Sequence, residues 1–192
     1  MGLLSFLFGK KKEVIPTQTP VQPIVQTAVK EATVQVAKTI VEEKVMKTGE
    51  QGIQLITHFE GFFDLAYKDP IGILTIGYGH IKGVYAGQRI TKDQGIAFLR
   101  EDLAEAEGHV NDAVKVPLTQ NQFDALVAFV FNVGGGAFRK STLLSLLNQG
   151  NYDAVPAQLA RWNKAGGKEL PGLTRRRRSE GVLFSQNVLD FN

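Results

Sequence analysis

The segment TQNQFDALVAFVFNVG, residues 119–134, is the strongest constraint on what this chain can fold into. At helical spacing Phe123, Leu126, Val127, Val130 and Phe131 leave it little polar surface, and a helix apolar around most of its girth has to be surrounded by other elements. Thr119 is placed to cap it, and the three glycines at 134–136 read as a flexible break after it. A second helix opens at Thr91, with Asp93 nearby, and repeats Ile96, Leu99, Leu103 and Ala106 at threes and fours. Its acidic residues Glu101, Asp102, Glu105 and Glu107 are expected to form a solvated face, and without histidine among them they do not suggest a metal site.

Upstream of both lies TGEQGIQLITHFEGFFDLAYKDPIGILTIGYGH, residues 48–80. Thr48 with Gln51 three residues on has the pattern of a capping box, and Ile53, Ile56 and Phe59 then share one face of a short helix that Gly61 stops. Glu60 is thereby its last residue, at the negative end of the helix dipole and among Phe59, Phe62 and Phe63, surroundings that disfavour a charged carboxylate. Asp69 sits between Lys68 and Pro70, where proline pushes it toward extended backbone at the mouth of a turn, in water. Two carboxylates in contrasting surroundings form the acid and base pair that glycosidic cleavage requires. From Ile73 the chain reads as a strand. Leu74, Ile76, Tyr78 and His80 share one face, while Thr75, Gly77 and Gly79 share a sparse face where the Thr75 hydroxyl is the one polar handle. His80, on the bulky face, is expected to be a structural hydrogen-bonding histidine.

The spacing E-x8-D-x5-T, with HFEG before it and TIGYGH at its end, resembles the catalytic signature of the phage-type lysozymes, glycoside hydrolase family 24. The resemblance runs from about Gly49 to Asn192. It implies a phage endolysin that hydrolyses the β-1,4 bond between N-acetylmuramic acid and N-acetylglucosamine in peptidoglycan with inversion. Glu60 would protonate the leaving oxygen, and Asp69, helped by Thr75, would direct water to the opposite face of the sugar. The resemblance also implies substrate contacts at Ile81, Phe131, Asn132 and Ser141, with core packing and helix capping as the alternative roles of Phe131 and Ser141. One arginine of TRRRR, Arg175 or Arg176, would reach back to the catalytic glutamate, and the remaining arginines would form a cationic face for the anionic wall. Pro156 stands where a further sugar contact would be expected. A lytic transglycosylase and an inactive wall-binding or virion module are the competing readings; the presence of Asp69 and Thr75 beside Glu60 weighs against both.

Composition bounds the rest. The 192 residues include no cysteine and three scattered histidines, so neither disulfides nor thiolate sites hold the fold, and no cofactor or metal is expected. A net charge of +3 with pI near 9.1 favours an anionic polymer such as peptidoglycan. Nothing resembles a nucleic-acid-reading motif, and no stretch approaches the length of a membrane span. Residues 1–12, apolar and then lysine-rich, suit either a membrane-touching tip or a tail without fixed structure, and they lack the order of a secretory signal. A Pro, Thr and Gln linker follows, then a marginal helix from about Pro23 to Met46. The expectation is an N-terminal extension over residues 1–47 and a catalytic domain over residues 48–192. The domain would be α+β, mostly helical and two-lobed, with one small antiparallel sheet; the protein would be a monomer made in the host cytoplasm and acting in the periplasm or wall.

Overall fold

In the computed structural model the described residues run from 45 to 191. The expected cationic tip and linker lie outside them, as does the expected N-terminal helix except at Val45 and Met46, which are not helical. The order along the chain is α1 (Glu50–Glu60), β1 (Phe63–Lys68), β2 (Leu74–Gly77), α2 (Lys92–Ala113), α3 (Gln120–Val133), α4 (Gly135–Arg139), α5 (Thr142–Asn148), a 3-10 turn (Tyr152–Ala154), α6 (Val155–Ala160), β3 (Lys164–Ala165), β4 (Lys168–Glu169) and α7 (Pro171–Gln186).

The surrounded helix is α3. All of its residues from Phe123 to Val130 are buried, and α1, α2 and α7 pack around it. Capping boxes open two of the long helices, Thr91 with Gln94 on α2 and Thr119 with Gln122 on α3. The glycine run after α3 is not a loose break: Gly134, at φ 85°, turns the chain and α4 starts at once. A Cβ on Gly135 would lie 1.8 Å from the His109 ring, so this position has room only for glycine.

The smaller lobe is the antiparallel β1–β2 hairpin, with a register shift between Phe63 and Tyr67. Arg89 bridges to Leu65 on its outer edge, and β2 lies against α2. The strand expected to run on to His80 ends at Gly77. Gly77 and Gly79, at φ 65° and 100°, fold the chain back so that Ile76 and His80 exchange both backbone hydrogen bonds at 2.9 Å. A further hairpin of two-residue strands, β3–β4, precedes α7; it was not expected, although Gly166 and Gly167 between its strands, at φ 57° and 78°, are the pair that such a turn favours.

The start of α1 differs from expectation. Its N-cap is Gly49, and Thr48 does not form a capping box with Gln51. The Thr48 amide and hydroxyl both donate to Glu107 Oε1 at 2.8 Å, and Lys47 pairs with Oε2 of the same carboxylate. Glu107 is therefore buried, not part of a solvated face, and Asp102 of the same acidic group faces His80. The open amides of α1 are taken instead by Asp124 of α3, which accepts from Gly49 N at 2.8 Å and Gly52 N at 3.0 Å and is 0% exposed. Met46 is already fastened to the body, exchanging two hydrogen bonds with Asn111.

Asp124→Asn presents an amide to backbone donors that now meet a carboxylate. It is expected to lower stability by roughly 1 to 3 kcal/mol, the cost of orphaning a buried partner, read from urea unfolding. An unchanged midpoint would mean that α1 does not depend on α3 for its cap.

Candidate active site

The C-terminal end of α1 presents Glu60, and Gly61 stops the helix there with φ 72° and its amide on Thr57 O. Phe59 and Phe62 pack on the core beside it. The Glu60 carboxylate accepts a hydrogen bond from Arg176 Nη1 at 2.7 Å. Of the two arginines proposed from the sequence, Arg176 is therefore the partner. Arg175 instead lines a cavity of about 490 Å³ with His58, Phe59, Leu170, Leu173 and Arg176.

Arg176 is buried and committed on every side. Its Nε reaches Glu180 Oε1 at 3.4 Å, its Nη2 donates to Ala128 O, and its guanidinium lies 5.7 Å from the Phe59 ring centre. Arg177, expected on a cationic surface, is 1% exposed: its Nη2 donates to Glu180 Oε1 at 2.7 Å and to Asn132 Oδ1 at 2.9 Å. A fully buried carboxylate, Glu180, thus receives both guanidiniums through one oxygen, while its Oε2 and the Arg177 Nε and Nη1 have no partner. Burial pushes the Glu180 carboxyl up to about 7, with Arg177 and Arg176 opposing the shift. The same burial pulls the Arg177 guanidinium down.

The second carboxylate is built from backbone. Asp69 Oδ1 accepts from the amides of Ile71 at 3.0 Å and Ile73 at 2.8 Å, closing the tip between β1 and β2 in an Asx-type turn. Thr75, 5% exposed and paired across from Tyr67, donates its hydroxyl proton to Ile73 O at 3.2 Å. That hydroxyl is less free than a bare polar handle, though its oxygen keeps lone pairs able to accept a hydrogen from water. Glu60 and Asp69 belong to separate hydrogen-bond systems, one ending on a guanidinium and the other on amides.

His80 is buried, with Nδ1 2.9 Å from Asp102 Oδ2, Nε2 donating to Lys82 O and its ring stacked on Phe98. Ile81 is 55% exposed next to it. Phe131 is half-buried and lines a depression with Asp102, His109 and Gly135, whereas Asn132 is exposed and held by Arg177. Ser141 takes the capping role that the sequence left open for it beside a substrate contact. It is the buried N-cap of α5, its oxygen accepting from Leu144 N at 3.1 Å and donating to Phe138 O at 2.7 Å, which leaves no hydroxyl proton for a sugar. Pro156 lies in the first turn of α6, after Val155, and packs on Gly181. Among the described residues no group of His, Asp and Glu has the arrangement of a metal site, and no helix is long and apolar enough to cross a membrane.

Glu180, Arg177, Asp102 and Asp124 were not singled out for these roles from the sequence. Only the first two carried a signal, since Glu180 falls four residues after Arg176 and three after Arg177 on one helix face.

The sequence matches the family model described as Phage lysozyme over residues 57–180. It is 46% identical over 143 residues to the endolysin of Acyrthosiphon pisum secondary endosymbiont phage 1, an alignment spanning 72% of this chain and 98% of that protein. The endolysin of Salmonella phage P22 is 41% identical over 145 residues, spanning 73% of this chain and 99% of the relative. A crystal structure of a P22 lysozyme mutant superposes with a TM-score of 0.68 at 40% identity, covering 72% of this chain and 98% of that one.

The commitment of Ser141 to its helix has a direct test. Ser141→Ala is expected to lower unfolding stability by roughly 0.5 to 2 kcal/mol, the usual worth of an N-cap, with kcat and KM on peptidoglycan unchanged. A raised KM at unchanged stability would return Ser141 to the substrate.

Proposed function

The chain belongs to the phage lysozyme family and is a muramidase-type glycoside hydrolase, and on that footing we propose that it cleaves the β-1,4 bond between N-acetylmuramic acid and N-acetylglucosamine with inversion, as a phage endolysin acting on the wall. The observation that carries this reading is the contrast between its two carboxylates. Glu60 ends a helix among aromatic rings and meets one guanidinium, whereas Asp69 ends a hairpin and meets two amides.

In this mechanism Glu60 donates its proton to the glycosidic oxygen as the bond to the anomeric carbon lengthens. Asp69 has one oxygen fixed by Ile71 N and Ile73 N, so the carboxylate plane is set before substrate arrives. The other oxygen faces the positive charge developing at the anomeric carbon and accepts a proton from the attacking water. Thr75 accepts a hydrogen bond from the same water while Ile73 O fixes its hydroxyl. The product then carries the opposite anomeric configuration, which requires room for a water between carboxylate and sugar. The net charge of +3 favours approach to an anionic wall polymer.

Glu60→Gln removes the proton donor at nearly constant shape and is expected to reduce turnover of purified peptidoglycan by about 10²- to 10⁴-fold. Asp69→Asn should be comparably severe. Proton NMR of the first product formed is expected to show the α-anomer; a β-anomer at early times would make Asp69 a nucleophile and end the inverting assignment.

A further inference from the structure

We propose that Glu180 is a positioning residue for both sides of the site: one buried carboxylate oxygen steers Arg176 onto Glu60 and Arg177 onto Asn132, and its charge offsets the pull of Arg176 on the Glu60 proton. This rests on Glu60 being the acid.

The geometry leaves no other residue in that position. Glu180 Oε1 lies 3.4 Å from Arg176 Nε and 2.7 Å from Arg177 Nη2. Arg176 then extends a further nitrogen, Nη1, to Glu60 at 2.7 Å, while Arg177 shares the same Nη2 with Asn132 at 2.9 Å. Neither guanidinium has another anionic partner among the described residues. The three side chains of α7 are buried, so their directions are set by these bonds and by the Phe59 and Phe129 rings they lie over.

Charge explains why the carboxylate is needed. A guanidinium touching a general acid favours loss of the proton that the acid must keep until bond cleavage. With Glu180 and Glu60 both ionised the four-residue cluster is neutral, and with Glu60 protonated for its work it carries one positive charge. Without the Glu180 charge each of those values rises by one, and Glu60 gives up its proton more readily. The elements packed on α7 add little to this balance. On α1, Glu50 pairs with Arg100 and His58 stacks on Phe191; on α3, Asp124 is taken by the start of α1; α6 carries no titratable side chain. On α7 itself Arg178 pairs with Asp190, and Arg175 is exposed beside the His58 cavity.

The test is the pH profile of kcat and KM on purified peptidoglycan, measured on the full chain and on Glu180→Gln, Arg177→Gln and Glu60→Gln, with folding checked by near-UV circular dichroism. Glu180→Gln leaves excess positive charge and is expected to move the alkaline limb of kcat down by about one pH unit; Arg177→Gln leaves excess negative charge and should move it up by a similar amount. KM should rise in Arg177→Gln, because Asn132 loses its holder. Shifts in the same direction, or no shift, overturn the proposal, since a purely structural role predicts no opposed pair. Should Glu180→Gln not fold, Arg177→Gln decides, because its Glu180 keeps Arg176 as a partner. Wild-type turnover in Glu60→Gln would instead remove Glu60 as the acid, which separates that failure from this one.

Discussion

The contact between Glu60 and Arg176 joins residues 116 apart in sequence, and the surroundings of the Glu60 carboxylate depend on it. They meet because α1 and α7 both pack on α3. An apolar helix that must be covered on all sides recruits the first and last long elements of the described body, and their ends then face one another. The ion pair is a poor candidate for the glue of this arrangement. Arg176 is buried and Glu60 partly so, and the desolvation of such groups consumes much of what their attraction returns. Packing on α3 holds the helices, and the charged groups use the alignment that packing provides.

The same logic governs how much could be read in advance. Patterns whose energetics are local were legible: the period of α3, the helix starts at Thr91 and Thr119, and the stop at Gly61. Patterns decided by a distant partner were not. Thr48 and Gln51 have the residues of a capping box, yet a carboxylate 59 residues away in sequence takes the threonine hydroxyl and a second one, on α3, takes the helix amides. Glu107 and Arg177 belong to charged runs that look solvated, and each is buried against partners that the run itself does not show, Thr48 and Lys47 for one and Glu180 and Asn132 for the other. The glycine run looked flexible because sequence shows the missing side chains and not the His109 ring that fills their place.

Both acidic groups of the site are fixed by their surroundings, though by different means. Asp69 relies on the hairpin that it closes itself, so its geometry is set within five residues, 69–73. Glu60 relies on α7 and, through Asp124 at the opposite end of its helix, on α3. One carboxylate is set by a local turn and the other by the whole tertiary fold.

That asymmetry bears on synthesis. A nascent chain that has emerged only as far as the hairpin can close the Asp69 turn, but the helix bearing Glu60 lacks Asp124 until α3 follows it. The guanidinium that meets Glu60 comes from Arg176, 116 residues further along the chain. A nascent fragment that stops short of α7 therefore lacks the partner of Glu60, and the surroundings of that carboxylate are completed only once α7 has followed α3.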